Sequence, residues 1–254
     1  MHIVSYNVNG IRAALRNGLA DWLGTQKPDI FCVQETKVDT AGFDPTPFEA
    51  MGYHAYLFPA QKKGYSGTAI FSRLKPKGVT MGCGDPLFDS EGRVIRLDYE
   101  DFSVLSCYFP SGTSGDERQG IKMVFLDFFL SYIKELEKKH PRLVVCGDFN
   151  ICHKPIDIHD PIRNKDVTGF KPEERAWMER FFQSGFVDSF RRFHSEPHRY
   201  SWWSYRAGAR RNNKGWRIDY IAVTENLSRC LTDADIYDQA VHSDHCPIGI
   251  RLKM

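Results

Sequence analysis

The chain has 254 residues, 42% of them apolar and 26% charged, enough to bury a sizeable core and too apolar for wholesale disorder. Lysine plus arginine exceeds the acids by 34 − 32 = 2, so any attraction to a polyanion must come from local patches. No apolar run reaches the length of a membrane span, the opening Met1-His2-Ile3-Val4 lacks an export-signal pattern, and seven cysteines without a CxxC pair point to a reducing, cytoplasmic compartment.

Ile3–Tyr6 reads as a strand ending in the polar turn Asn7-Val8-Asn9-Gly10. Leu15, Leu19, Trp22 and Leu23 recur at helical spacing and predict one helix over Ala13–Gly24, stopped by Pro28-Asp29. Ile30–Val33 is a second buried strand, closing at Gln34-Glu35-Thr36. From Tyr53 to Tyr108 the pattern predicts only strands and turns: Tyr53–Phe58, Gly67–Ser72, Gly92–Tyr99 and Phe102–Tyr108. Asp116–Lys139 reads as a long amphipathic helix that buries Val124, Phe125, Phe128, Phe129, Tyr132, Ile133 and Leu136. Leu143–Cys146 is a strand leading into Gly147-Asp148-Phe149-Asn150. After a loop over Ile151–Phe170, Pro172 and its neighbouring acids open a helix. Strands follow at Tyr200–Tyr205, Ile218–Thr224 and Ile248–Leu252.

No linker or composition shift divides residues 1–254, so one catalytic domain is expected. Strands and helices mix without strict βαβ order, which predicts an α+β (α/β) sandwich of two packed, mainly antiparallel sheets flanked by helices. A doubly wound fold would need crossover helices between residues 53 and 108, where none is read.

The polar residues fall in a pattern. Asn7, Glu35, Asp148, Asn150, Asp219, Asp244 and His245 lie within, at the end of, or just after apolar strands, so they can share one cleft at a sandwich edge. Their carboxylate and amide oxygens are hard donors that suit Mg²⁺ or Mn²⁺. Asx residues also favour turns, and Asn9 beside Gly10 reads as turn punctuation, whereas Glu35 has no turn role. Asp219 could brace His245 through one ring nitrogen. His242, His245, Cys246, Cys152 and His153 match no structural zinc spacing.

Two stretches lack acids. Residues 50–84 hold Lys62, Lys63, Arg73, Lys75 and Lys77, which a solvated surface explains as well as function does. Residues 198–218 interleave Arg199, Arg206, Arg210, Arg211, Lys214 and Arg217 with Tyr200, Trp202, Trp203, Tyr205 and Trp216, which suits a phosphate backbone plus an unstacked nucleotide.

Taken in order, Asn7-Val8-Asn9-Gly10-Ile11-Arg12, Gln34-Glu35-Thr36-Lys37, Cys107-Tyr108-Phe109-Pro110, Gly147-Asp148-Phe149-Asn150, Gly215-Trp216-Arg217-Ile218-Asp219-Tyr220 and Ser243-Asp244-His245-Cys246-Pro247 resemble the successive motifs of the exonuclease III family of apurinic/apyrimidinic endonucleases. The resemblance spans the whole chain and implies a four-layered α/β sandwich. It implies a metal site of Asn7, Glu35, Asp148, Asn150, Asp244 and His245, and a catalytic set of Tyr108, Asp148, Asn150, Asp219 and His245. Glu35 would be the principal Mg²⁺ ligand, Asp148 would activate water, and His245 would donate to a phosphoryl oxygen. DNA contacts are implied for Lys37, Asn164, Trp202, Arg210, Arg211 and Trp216, with Trp216 walling the pocket for a base-free sugar and Lys37 supporting Glu35. The chain departs from some relatives at Asn9, where they carry Asp, at Val167, where they carry Asn, and in the small polar loop Ser111–Gly115.

The expected function is therefore a Mg²⁺-dependent DNA-repair phosphodiesterase. It would cut 5′ to abasic sites and trim 3′ ends of double-stranded DNA, as a monomer with no membrane partner. A lipid or small-molecule phosphodiesterase of the same fold predicts a hydrophobic membrane-binding loop or an export signal, and a silent binding module predicts loss of Glu35, Asp148 or His245.

Overall fold

The computed structural model, which describes residues 1–39 and 41–254, contains two six-stranded sheets. Numbered in chain order and given in spatial order, the first consists of β11 (Leu231–Ile236), β12 (Ile248–Leu252), β1 (His2–Asn7), β2 (Ile30–Gln34), β4 (Thr68–Ser72) and β3 (His54–Phe58). The second consists of β5 (Gly78–Met81), β6 (Val94–Asp98), β7 (Ser103–Tyr108), β8 (Leu143–Asp148), β10 (Asp219–Thr224) and β9 (Phe186–Asp188). Each sheet has one parallel pair, β1 with β2 and β7 with β8, among antiparallel neighbours.

Side chains alternate between the faces of a strand, and this sorts the core. Ile3, Ile30, Cys32, Val104, Val144, Cys146, Ile221 and Val223 meet between the sheets. The opposite faces are covered by helices. α1 (Ile11–Arg16), α2 (Leu19–Gln26) and α3 (Thr46–Glu49) pack on Val4, Tyr6, Phe31 and Val33. α4 (Pro86–Ser90), α5 (Asp116–Lys139) and α6 (Pro172–Gln183) pack on Leu105, Cys107, Leu143 and Val145. The short α7 (Ser189–Phe193) and α8 (Glu225–Ser228) lie on either side of β10 in the chain. The result is the four-layered, helix–sheet–sheet–helix arrangement, with both sheets mixed.

Several local expectations are corrected. The helix expected over Ala13–Gly24 is two helices, because Gly18 takes a left-handed φ of 93° between them. Val124 is 62% exposed, since the buried face of α5 runs instead through Lys122, Phe125, Leu126, Phe129 and Ile133. Tyr200–Tyr205 is not a strand; Trp202 alone makes isolated bridges, to Trp216 and His245. The segment between residues 53 and 108 does hold a helix, α4, which Asp85 caps by accepting from the amides of Leu87 and Phe88. Among the described residues no helix is long and apolar enough to cross a membrane.

Candidate active site

The strand alternation that buries Ile3, Ile30, Val104 and Val144 carries polar side chains to one end of the same inter-sheet space. On β1 the inward series is Ile3, Ser5, Asn7, and on β8 it is Val144, Cys146, Asp148. Midway, Gln34 donates from Nε2 to Ser5 Oγ at 3.1 Å and Ser106 Oγ at 2.9 Å, forming a buried polar bridge between the sheets. Above that bridge opens a cleft of about 500 Å³, lined by Asn9, Glu35, Tyr108, Asp148, Trp216 and His245, with other residues around its rim.

Glu35 follows β2 with φ of 52°, a conformation that turns its side chain out of the strand and into the cleft. Its strained backbone is pinned by hydrogen bonds from Gly10 N to Glu35 O (2.8 Å) and from Thr36 N to Gly67 O (3.1 Å). Asn9, Lys37 and Asn150 are also left-handed non-glycine residues around this cleft. Asn7 Nδ2 donates to Glu35 Oε1 and to Asp148 Oδ2, both at 2.9 Å, and so bridges the two sheets' carboxylates. Asn7 Oδ1 accepts from Asn9 N at 3.0 Å, which fixes the amide orientation and directs its NH₂ group, not its oxygen, toward the carboxylates. In this arrangement Asn7, expected as a metal ligand, presents its amide donors and not its oxygen to the two carboxylates.

Ligand atoms of Glu35, Asp148 and His245 lie within 4.8 Å of one another. Two carboxylates so close repel unless a cation joins them, and their hard oxygens fit a divalent ion such as Mg²⁺. Asp244 is engaged elsewhere, accepting from Asn9 Nδ2 (2.9 Å) and Trp202 Nε1 (3.0 Å), and it does not join that three-residue group. Asn150 likewise donates from Nδ2 to Phe109 O at 3.0 Å, while its main-chain N–H donates to Asp148 Oδ1 at 2.8 Å.

His245 is braced as expected from its partners: Asp219 Oδ2 lies 2.8 Å from Nδ1, and Ser201 Oγ donates to the same oxygen at 2.6 Å. Its Nε2 lies 3.8 Å from Asp148 Oδ2. Burial opposes charge on the imidazole, but Asp219 above all, with Asp148 and Asp244, lifts its pKa to about 10. Burial, reinforced by the carboxylates of Asp219 and Glu35, pushes Asp148 well above the usual carboxylate range. Burial and then the Glu35 and Asp148 carboxylates push the Tyr108 phenol up, so it stays protonated.

Trp202 and Trp216 meet edge to face, 6.0 Å between centroids, and pair through reciprocal main-chain bonds of 2.9 Å. Behind them Arg217 is fully buried on Asp157 and Asp188, which holds the segment leading into Asp219.

The remaining residues divide between expected and unexpected places. Lys37 pairs with Glu35 at 3.0 Å and donates to Asn9, a brace within the site. Arg210 is not free for a phosphate: its guanidinium donates to carbonyls of Asp238 (2.9 Å), Ala240 (2.6 Å) and Ser243 (3.0 Å) and stacks on Trp203. Arg211 is exposed. Asn164 donates to the carbonyls of His159 and Asp160 and lies outside the cleft lining, whereas Val167 is part of it. Asn9, read as a turn residue, serves the turn with φ of 47° and also links Lys37 to Asp244. Gln34 was missed because nothing in an apolar run marks one polar residue as the inter-sheet bridge. Lys122 was missed although a signal exists: three residues before Phe125 and seven before Phe129, it falls on the buried face of α5.

Two stacked sheets that hold paired carboxylates and an Asp-braced histidine at one end of their shared core suit a hydrolase for phosphoesters, where a divalent cation held by the carboxylates and a cationic imidazole would face the same anion. Residues 4–245 match the model of the endonuclease/exonuclease/phosphatase family. Over 256 aligned residues the chain is 44% identical to an exodeoxyribonuclease of Bacillus subtilis (strain 168), with both chains fully covered. It also resembles the structure of an AP endonuclease from Archaeoglobus fulgidus (31% identity, TM-score 0.91, both chains fully covered). A 3′ phosphatase from Neisseria, solved with a product DNA hairpin, matches at 28% identity and a TM-score of 0.92, again over both whole chains. The chain belongs to the endonuclease/exonuclease/phosphatase family, and within it is a hydrolytic nuclease.

Proposed function

We propose that this nuclease is a Mg²⁺-dependent DNA-repair phosphodiesterase that cuts double-stranded DNA 5′ to abasic sites, leaves a 3′-hydroxyl, and trims 3′ ends. The observation that carries the reading is the adjacency, in one cleft, of the Glu35–Asp148–His245 cluster and the Trp202–Trp216 wall. A phosphate at the cluster would place its neighbouring sugar against the indoles. A base-free nucleotide has no pairing and little stacking to lose, so it leaves the duplex at low cost.

When bound, the cation would neutralise charge on the phosphate and polarise the attacking water. Asp148, with its raised proton affinity, would take the water's proton, and Asn150 would orient that water. His245, kept protonated by Asp219, would donate from Nε2 to a phosphoryl oxygen as negative charge develops. Tyr108, also protonated, would face the phosphate and the leaving oxygen. Glu35, held by Asn7 and Lys37, would be the main ligand of the cation, with Asp148 beside it.

We read residues 1–254 as one catalytic unit acting as a monomer, the cleft drawing its groups from Asn9 through His245. The seven unpaired cysteines support a reducing, cytoplasmic setting. The test is incubation of the purified protein with a labelled abasic duplex, an intact duplex and a 3′-phosphate duplex, each with Mg²⁺ and with EDTA. Mg²⁺-dependent incision at the abasic site is the expected result, and incision of none of the three overturns the reading.

A further inference from the structure

Lys122 on α5 and Glu174 on α6 are both fully buried, with Nζ and Oε1 2.5 Å apart, and neither lines the cleft. Glu174 caps its own helix at Lys171 N, and the other hydrogen bonds of the pair lead to the frame of the cleft. Lys122 Nζ donates to the main-chain oxygen of Asn150 at 2.9 Å. Glu174 Oε2 accepts from Gly169 N (2.7 Å) and Lys171 N (2.9 Å), while Oε1 accepts from Gln119 Nε2 (3.1 Å). Gln119 Oε1 accepts the Thr168 hydroxyl at 2.6 Å, and a Cβ added at Gly112 would lie only 1.9 Å from that same oxygen. The loop bearing Ser111 and Ser114 therefore rests on the same network.

Asn150 and Gly169 are the points where this network meets the site. Asn150 has φ of 54°, a strained turn that a buried ammonium on its carbonyl helps to hold. Gly169 has φ of 92°, and a Cβ there would lie 3.0 Å from the Trp216 ring and 3.1 Å from Asn150 O. Gly169, Asn150 and Trp216 are thus in direct contact, packed too closely for a side chain between them. Apolar residues of equal volume would join α5 to α6 at least as well as a buried ion pair, so helix packing does not account for the two charges.

We propose that Lys122 and Glu174 are positioning residues: Lys122 fixes the main chain of Asn150, and Glu174 fixes the Thr168–Gly169 strip against Trp216, so that the reacting phosphate and the sugar wall keep one separation. The inference rests on the phosphodiesterase reading above. Reaction rates fall steeply with misplacement, so a shift of this frame acts on the chemical step more than on binding.

The experiment compares wild type with Lys122→Met/Glu174→Gln and with Glu174→Gln alone. Single-turnover rates at saturating protein are measured beside abasic-duplex affinity in EDTA, melting temperature, and the ¹⁵N resonances of the Asn150 side chain and the Gly169 amide. In the double variant the rate is expected to fall about 100-fold while affinity changes by less than about threefold, with both resonances displaced. Should the double variant melt below the assay temperature, Glu174→Gln carries the same comparison, with a smaller loss of rate expected. An unchanged rate with unmoved resonances overturns the proposal, as does a loss of rate that only parallels losses of affinity and stability. If wild type cuts another phosphodiester but not abasic DNA, the functional reading fails, and the same comparison on that substrate still judges the positioning role.

Discussion

Replacing Asp219 with asparagine removes one charge that raises the proton affinity of both His245 and Asp148. Asp219 Oδ2 accepts from both His245 Nδ1 and Ser201 Oγ, and an asparagine carbonyl can keep both bonds and the same imidazole tautomer. The new NH₂ group then takes the place of Oδ1, which is buried and has no hydrogen-bond partner among the described residues. What is lost is the strongest influence favouring charge on an imidazole that burial disfavours. The wild-type pKa of about 10 keeps the ring protonated throughout the neutral range. Without Asp219 only Asp148 and Asp244 still oppose burial, so the imidazole's pKa falls well below its wild-type value. Once the assay pH exceeds the lowered pKa, each further pH unit removes about tenfold of the protonated form, so the rate deficit grows with pH by up to about tenfold per unit. Single-turnover cleavage of an abasic duplex from pH 6 to 9, at saturating Mg²⁺ for both proteins, reads this directly, and a ¹⁵N titration of His245 checks the pKa itself. A deficit of the same size at pH 6 and pH 8 would refute the argument, because it would mean that Asp219 acts by placement alone.

Glu35→Gln should raise the Mg²⁺ concentration for half-maximal rate while leaving DNA affinity in EDTA nearly unchanged; an unmoved half-saturation point removes Glu35 from the metal site. Trp216→Ala should abolish the preference for abasic over intact duplex without altering the salt dependence of binding, and a retained preference would show that the indole merely packs its loop. Arg211→Ala should lower the magnitude of the salt slope by about one, since a phosphate contact carries no lesion information. Arg210→Ala should instead lower the melting temperature and leave that slope alone, because Arg210 holds carbonyls of residues 238–243. Asp157 is held at a pKa of about 2 against an ordinary 3.8, Arg217 and Arg191 overcoming the effect of burial. A depressed carboxyl contributes stability that is fully present above its unfolded pKa and lost as pH falls through its folded one, here about 2 kcal/mol between roughly pH 4 and pH 2. Asp157→Asn should therefore be less stable at pH 7 and lose less on acidification, as urea titrations across that range would show.

The strand-end residues were legible because each bounds an apolar run: Asn7, Glu35 and Asp148 stand where β1, β2 and β8 stop, and Asp219 stands where β10 starts. The two-sheet architecture followed from the same runs. Asn9 escaped because an Asn before a Gly already has a sufficient explanation as a turn, and sequence cannot show that one side chain does two jobs. Arg210 was misread for a related reason. An arginine in an acid-free loop predicts a missing anion, yet a cluster of main-chain carbonyls satisfies the same donors, and only the folded backbone gathers them. The division of Ala13–Gly24 into α1 and α2 depends on the φ of Gly18, which hydrophobic spacing does not record.

The placement of β12 between β11 and β1 has a consequence for biosynthesis. Sheet one cannot be completed until Ile248–Leu252 has been made, because that strand pairs with residues 2–5 and with β11. His245, three residues before β12, reaches Asp148 only when that pairing draws the two sheets' ends together. Half-made chains can therefore fold helices and local hairpins, but they carry Glu35 and Asp148 without the histidine. The pairing of β1 with β12, among the most non-local contacts of the described residues, thus ties assembly of the complete cluster to the making of residues 245–252.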